Sequence, residues 1–245
     1  MVRKKLQFIY KFIISKLFQI IYGKIVFLNQ NDNDVKIKEV NKEENNYKFI
    51  EINNGRIFTD YIEHVAVINK NQIIDFVSYQ QVKGVFKDPT FNVVIKKGTP
   101  KFKKKFNGKI FSLVQGASGN NNYFHWMFDI LPRLIILEKF YNLNDINFFY
   151  CPQIKPWQLS TLSIFNIGND KLINSNLHRH IQADKILAVS HPWYSKGLIL
   201  NEAKNLPSWI INEIAFKFEK YGKKFDCNDK IFIDRRESKY NHCQI

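Results

Sequence analysis

The sequence predicts a mixed α/β protein in which an N-terminal helix and a β-rich lead precede a region of strands alternating with helices. Three observations predict it. Residues 6–28 are apolar with lysines inserted, residues 47–115 hold short runs rich in Val, Ile, Phe and Tyr, and after residue 120 apolar runs of strand length alternate with segments of helical period. The last pattern is that of βαβ units and a parallel sheet.

Composition supports a folded chain. Of 245 residues, 45% are apolar and 24% charged, which excludes intrinsic disorder over most of the length. That length suits one large domain or two small ones. Cys151, Cys227 and Cys243 are far apart and form no C-x-x-C pair, so neither a disulfide framework nor a cysteine zinc site is expected. A reducing compartment is the simplest reading. The net charge is +15, from 31 Lys and 6 Arg. Lysine attracts anionic surfaces diffusely, whereas base reading favours arginine, so a nucleic-acid partner is not expected.

The elements follow in order. In LQFIYKFIISKLFQIIYGKIVFL, Lys11, Lys16 and Lys24 interrupt the apolar run. Spanning a bilayer needs about 20 largely apolar residues, and central lysines make it costly. No uninterrupted core or small-residue cleavage site marks a signal peptide. Residues 1–28 therefore read as a hydrophobic and basic helix, either packed on the body of the protein or lying in the interface of an anionic membrane. Residues 29–46 read as a polar linker. YKFIEI, HVAVIN, IIDFVSY, FNVVI and KIFSLVQ read as strands, and KFKKK (101–105) as a solvated turn. Helical patterns at 122–141, 157–167 and 206–221 are interleaved with the strands INFFYC, KILAVS and KIFID. His178-Arg179-His180 reads as a surface loop, and the aromatics after His191-Pro192 suit either packing or stacking on a sugar.

The chemistry-bearing segment is Asn122-Tyr123-Phe124-His125-Trp126-Met127-Phe128-Asp129-Ile130-Leu131-Pro132-Arg133-Leu134. In a continuous helix the Pro132 ring would clash with the Phe128 carbonyl, so one helix is expected to end or kink near Ile130 and a second to carry Pro132 in its first turn. His125 and Asp129 are four apart and share a face, and Arg133 follows four later. An imidazole, a carboxylate and a guanidinium there suit acid–base chemistry and anion binding: Asp129 or His125 takes a proton and Arg133 holds a carboxylate or phosphate. The same residues also suit mutual pairing in a buried helix. Two ligands are too few for a metal site.

The run Asn-Tyr-Phe-His-Trp-x-x-Asp-x-Leu-Pro-Arg-Leu resembles the hallmark segment of glycosyltransferase family 61, whose bacterial members are often labelled capsular polysaccharide biosynthesis proteins. The resemblance extends over about residues 50–245, through Gly108-Lys109-Ile110, His191-Pro192 and Lys230-Ile231-Phe232-Ile233-Asp234-Arg235-Arg236. It implies an inverting transferase of GT-B architecture that moves a hexosyl or pentosyl unit from a nucleotide-sugar donor to a cell-surface or capsular polysaccharide acceptor, with no metal or other cofactor. It further implies that residues 47–234 are a Rossmann-like acceptor-side domain, the first half of that architecture, and that 235–245 begin the donor-binding domain. His125 and Asp129 are then the catalytic candidates, Asn122, Tyr123, Trp126 and Arg133 the substrate-binding ones, and Arg235 and Arg236 the contacts to the donor diphosphate.

Two positions depart from the family pattern: Asp234 stands where Ser is usual before the first Arg, and Asn241 where another Arg is usual. The chain has no counterpart of the family's second domain, so a fragment, or a partner chain supplying the donor half, is expected, and the isolated chain is expected to lack transferase activity. A cytoplasmic location, peripheral at the inner face of the cell membrane, follows from this reading. The alternative is a non-catalytic glycan- or membrane-binding remnant of the same fold. G-x-S-x-G, H-E-x-x-H, P-loop and G-x-G-x-x-G patterns are absent.

Overall fold

The computed structural model describes residues 2–27, 34–43, 45–59, 65–78, 80–82, 85–87, 89–114, 122–193, 197–198 and 206–222. Helix α1 (Val2–Tyr22) docks through its C-terminal half, where Phe18 is buried. Ser15 donates to the Lys97 carbonyl at 2.6 Å and Gln19 to the Lys96 carbonyl at 2.9 Å. These are the end carbonyls of α2 (Val93–Lys97), which no intrahelical donor can satisfy. The first turns of α1 stand clear of the body: Leu6, Phe8, Ile9, Tyr10, Phe12 and Ile13 are all exposed.

The lead consists of β1 (Val26–Phe27), β2 (Val35–Lys42), β3 (Asn45–Asn53), β4 (Arg56–Thr59), β5 (Val65–Asn69) and β6 (Gln72–Ile73), followed by the short strands β7 (Gln80–Val82) and β8 (Val85–Lys87). β9 (Lys104–Ser112) leads through a helical crossover to β10 (Phe148–Cys151). Helix α5 (Pro156–Ser163) then precedes β11 (Leu172–Asn174), and β12 (His180–Val189) follows. The crossover contains α3 (Tyr123–His125) and α4 (Leu131–Leu137). β13 (Gly197–Leu198) pairs with β8, and α6 (Ser208–Glu219) packs on α4.

Among the described residues, the main sheet is mixed and runs β1–β6–β5–β4–β12–β9–β10–β11, with β3 paired to β12 and β2 to β3. β12, β9, β10 and β11 are mutually parallel, and the lead joins mainly antiparallel. β12 is long enough to hold β4 along its first residues and β3 along its last, on the same edge. The turn between those two strands contains Gly55, where an added Cβ would lie 2.9 Å from Ile186. Opposite, the β9–β12 register shifts by one residue around Gly108, whose φ of 87° favours glycine. Its N–H donates to Asp184 at 2.7 Å.

The sheet separates two apolar clusters. One joins Phe49, Phe111, Phe149 and Leu187 to α4 and α6, and the other joins Ile50, Ile52, Ile110 and Ile186. The coarse expectation of an α/β fold holds, as do strands over most of YKFIEI, HVAVIN, KIFSLVQ, INFFYC and KILAVS and helices after Asn122, Lys155 and Pro207.

Several local expectations fail for identifiable reasons. Residues 35–42, inside the expected linker at 29–46, form the edge strand β2, whose outer edge tolerates polar side chains. FNVVI is not a strand. The Asn92 side chain accepts from Val94 N–H and donates to the Val65 and Ser78 carbonyls, so a capped helix begins there. IIDFVSY forms only the short β6 and then a 3₁₀ turn at Asp75–Val77. KFKKK is a turn only in part, since β9 starts at Lys104. His180 is not on a surface loop: it is fully buried at the start of β12. The expected strand KIFID and residues 235–245 lie outside the described residues.

Candidate functional site

The expected break at Pro132 takes a different form. Residues 123–137 stay helical, and a π-helical turn at Trp126–Ile130 joins α3 to α4. Leu131 N–H reaches back to the Trp126 carbonyl, five residues earlier, so the helix widens where Pro132 supplies no donor and sits in the first turn of α4. Asn122 caps the start, its side-chain oxygen accepting from Phe124 N–H at 2.9 Å and His125 N–H at 3.4 Å.

This helix places Asp129 under the ends of two parallel strands. The residues after β12 bring His191 and Trp193 onto the same carboxylate. The Trp193 indole donates to Oδ1 at 2.7 Å, His125 Nδ1 donates to Oδ2 at 2.7 Å, and His191 Nε2 faces Oδ2 at 3.6 Å. His191 Nδ1 accepts from the Trp193 backbone N–H at 3.4 Å, which turns the ring's Nε2 toward the carboxylate. The side chain of His125 is 14% exposed, against 2% for Asp129 and 1% for His191, so His125 is the member of the cluster that reaches the surface.

Charge follows from this packing. Burial opposes ionisation of Asp129, but His191 and His125 outweigh it and hold the carboxyl down at about 2. Burial pushes the His191 imidazole down, against the pull of Asp129. With Asp129 accepting from Nδ1, the basic nitrogen of neutral His125 is Nε2. A buried carboxylate that orients an imidazole is a general-base arrangement with the proton-accepting atom pointing away from the acid.

The other expected site residues divide into surface and support. Tyr123, two residues before His125, is 64% exposed, and its ring lies 5.7 Å from that of Trp157. Trp126 is fully buried and donates to Thr161 Oγ1 at 2.7 Å. Arg133 is also fully buried, with Nε donating to the Asp129 carbonyl at 2.8 Å and Nη2 to the Leu113 carbonyl at 2.5 Å. These contacts tie the end of β9 to the π turn, so the geometry makes Trp126 and Arg133 positioning groups, where direct substrate contact was expected. Asn122 is a helix cap, and Arg235 and Arg236 lie outside the described residues.

Sequence reasoning did not single out Trp157 and left the segment at His191 open. His191 and Trp193 are 62 and 64 residues from Asp129, and only the parallel pairing of β9 with β12 brings them together. Among the described residues, no group of three or more His, Cys, Asp or Glu side chains is placed to hold a metal ion.

The position of the cluster in the sheet is informative. From β9 the chain crosses to β10 on one side, while β12 flanks β9 on the other, so the carboxyl ends of β9 and β12 form a topological switch point. Open α/β sheets bind ligands in the crevice at such points. The chain matches no family model, no curated protein and no solved structure.

Proposed function

We propose that the protein acts in glycosyl transfer, with His125 as the base that activates an acceptor hydroxyl. The observation that carries this reading is the Asp129–His125 pair at 2.7 Å, set at the switch point and reaching the surface through the histidine. The resemblance of the helix to the hallmark of glycosyltransferase family 61 supplies the reaction class. In an inverting transfer, His125 Nε2 takes the acceptor proton as the hydroxyl oxygen bonds to the anomeric carbon. The bond from that carbon to the nucleotide diphosphate breaks, and the diphosphate leaves with the electron pair. Asp129 stabilises the imidazolium that forms. Tyr123 and Trp157 offer aromatic faces for the acceptor sugar. A capsular or other cell-surface polysaccharide is the acceptor class that this resemblance favours. Acceptor-dependent release of nucleotide from a panel of nucleotide sugars, by the chain completed with a donor-binding half, tests the reading, and no release with any donor and glycan pair contradicts it.

A second reading concerns location and is favoured by α1. The helix has no acidic residue, carries Arg3, Lys4, Lys5, Lys11 and Lys16, and exposes most of its large apolar side chains. No helix among the described residues is long and apolar enough to cross a membrane. An apolar helix studded with cations suits the interface of an anionic bilayer, with aromatics among the acyl chains and lysines at the head groups. We infer peripheral attachment at the inner face of the cell membrane, where a cytoplasmic donor and a membrane-associated acceptor meet.

A further inference from the structure

A cavity of about 330 Å³ lies far along the fold from Asp129, where the last turn of α1 meets β4, the β5–β6 turn and the start of β12. Its lining is polar and includes Tyr22, Arg56, Asn69, Lys70, Lys103 and Gln182. Three features of this lining are unbalanced.

Arg56 is 4% exposed, and both partners of its Nη2 are neutral: the Lys70 carbonyl and the Asn71 side-chain oxygen, the latter at 2.9 Å. A buried guanidinium ordinarily has a carboxylate beside it. The acidic group in the lining, Asp34, pairs with Lys70 at 2.8 Å. Asn69 is 1% exposed, and its amide Nδ2 is a buried donor without a hydrogen-bond partner; Gln182 Oε1, also buried without one, is an acceptor and calls for a donor instead. A buried orphan donor costs about 1–3 kcal/mol, so it marks a place where an acceptor belongs.

The electrostatics agree. Burial, then the field of Arg56, pushes the Lys103 ammonium down. Burial also pushes the neighbouring His180 imidazole down to about 4, with Arg56 and Lys103 adding to it. Positive charge therefore gathers here, and among the described residues the carboxylate in the lining, Asp34, is engaged by Lys70. The carbonyl end of α1 offsets roughly half a charge of it. Tyr22 fixes the geometry: its hydroxyl accepts from Lys103 N–H at 3.0 Å, and its ring packs edge-on against His180 at 5.0 Å.

We propose that this cavity is an oxyanion site that holds a phosphate group between Arg56, Lys103 and the Asn69 amide. A guanidinium fork, an ammonium and an amide N–H are the donor set a phosphate takes. The volume exceeds that of a bare phosphate, which leaves room for the group that carries it. The mouth lies at the end of the helix that exposes apolar side chains, so the phosphate comes either from solution or from a lipid head group.

Inorganic phosphate titrated calorimetrically into the full chain at constant ionic strength tests the site. Co-sedimentation with phosphatidylcholine vesicles, with and without phosphatidic acid, tests the lipid source. The expected result is saturable binding in at least one arm that Lys103→Glu weakens about tenfold or more, as loss of a charge-assisted contact requires. Arg56→Gln weakens it likewise while circular dichroism reports a folded chain, and Lys139→Glu, on an exposed turn, leaves it unchanged. Saturation by inorganic phosphate identifies a soluble ligand, and Lys103-dependent binding to phosphatidic acid alone identifies a lipid. Absence of saturable binding in both arms overturns the proposal, and so does equal weakening by Lys139→Glu. None of these readouts involves sugar transfer, so the proposal stands or falls separately from the transferase reading.

Discussion

The Trp193 indole donates to Asp129 Oδ1 at 2.7 Å, joining the end of β12 to the π turn across 64 residues of sequence. This bond occupies one carboxylate oxygen and leaves the other to His125 and His191. Asp129 is thereby held from two elements and cannot rotate away from the imidazole it orients.

Trp193→Phe keeps an aromatic side chain, one ring smaller, and removes the donor. The buried Oδ1 then loses its partner, at a cost of about 1–3 kcal/mol. The expected outcome is lower stability in urea unfolding, together with an Asp129 carboxyl that titrates higher than in the parent chain by NMR. Unchanged stability and titration would show that the indole contributes nothing to the cluster.

His180 makes the fold sensitive to acid. Burial holds its pKa down to about 4, against the ordinary value of 6.5. The unfolded chain therefore binds the extra proton first, and stability is lost as pH falls from about 6.5 toward 4. The neutral ring is held by Nδ1 donating to the Lys101 carbonyl at 3.0 Å. His191, also pushed down by burial, adds to the same loss. Melting temperature followed across this window should fall in the parent chain and fall less steeply in His180→Gln. An identical slope would contradict the assignment.

Attachment through α1 predicts that Phe8→Asp combined with Phe12→Asp abolishes co-sedimentation with vesicles containing phosphatidylserine. Both side chains are exposed, at 72% and 56%, so the fold is expected to be unaffected. Added salt should weaken the parent's binding by screening the lysines. Equal binding by the double variant would end this reading.

The sequence carried the helix that follows Asn122 and most central strands, because apolar runs bounded by turn residues determine those elements locally. Three things were not legible. FNVVI has strand composition, and only the Asn92 side chain, bonded to residues distant in sequence, makes it a helix. Pro132 reads as a break, but whether a helix ends or widens there depends on how Trp126 and Arg133 are anchored. Within the site, the spacing of His125 and Asp129 announced a pair. That Asp129 is buried and His125 reaches outward depends on His191 and Trp193, which arrive by strand pairing and leave no local pattern.

The central claim is that His125, held by Asp129, moves the acceptor proton. The most direct measurement is acceptor-dependent turnover of a nucleotide sugar by the chain completed with the donor-binding half that the resemblance implies, as the parent, His125→Gln and Asp129→Asn, each confirmed folded by circular dichroism. The account predicts that His125→Gln lowers kcat by about 10²–10⁴-fold with little change in acceptor KM. It also predicts that Asp129→Asn lowers kcat by misorienting the ring. A His125→Gln enzyme that turns over at the parental rate would contradict it.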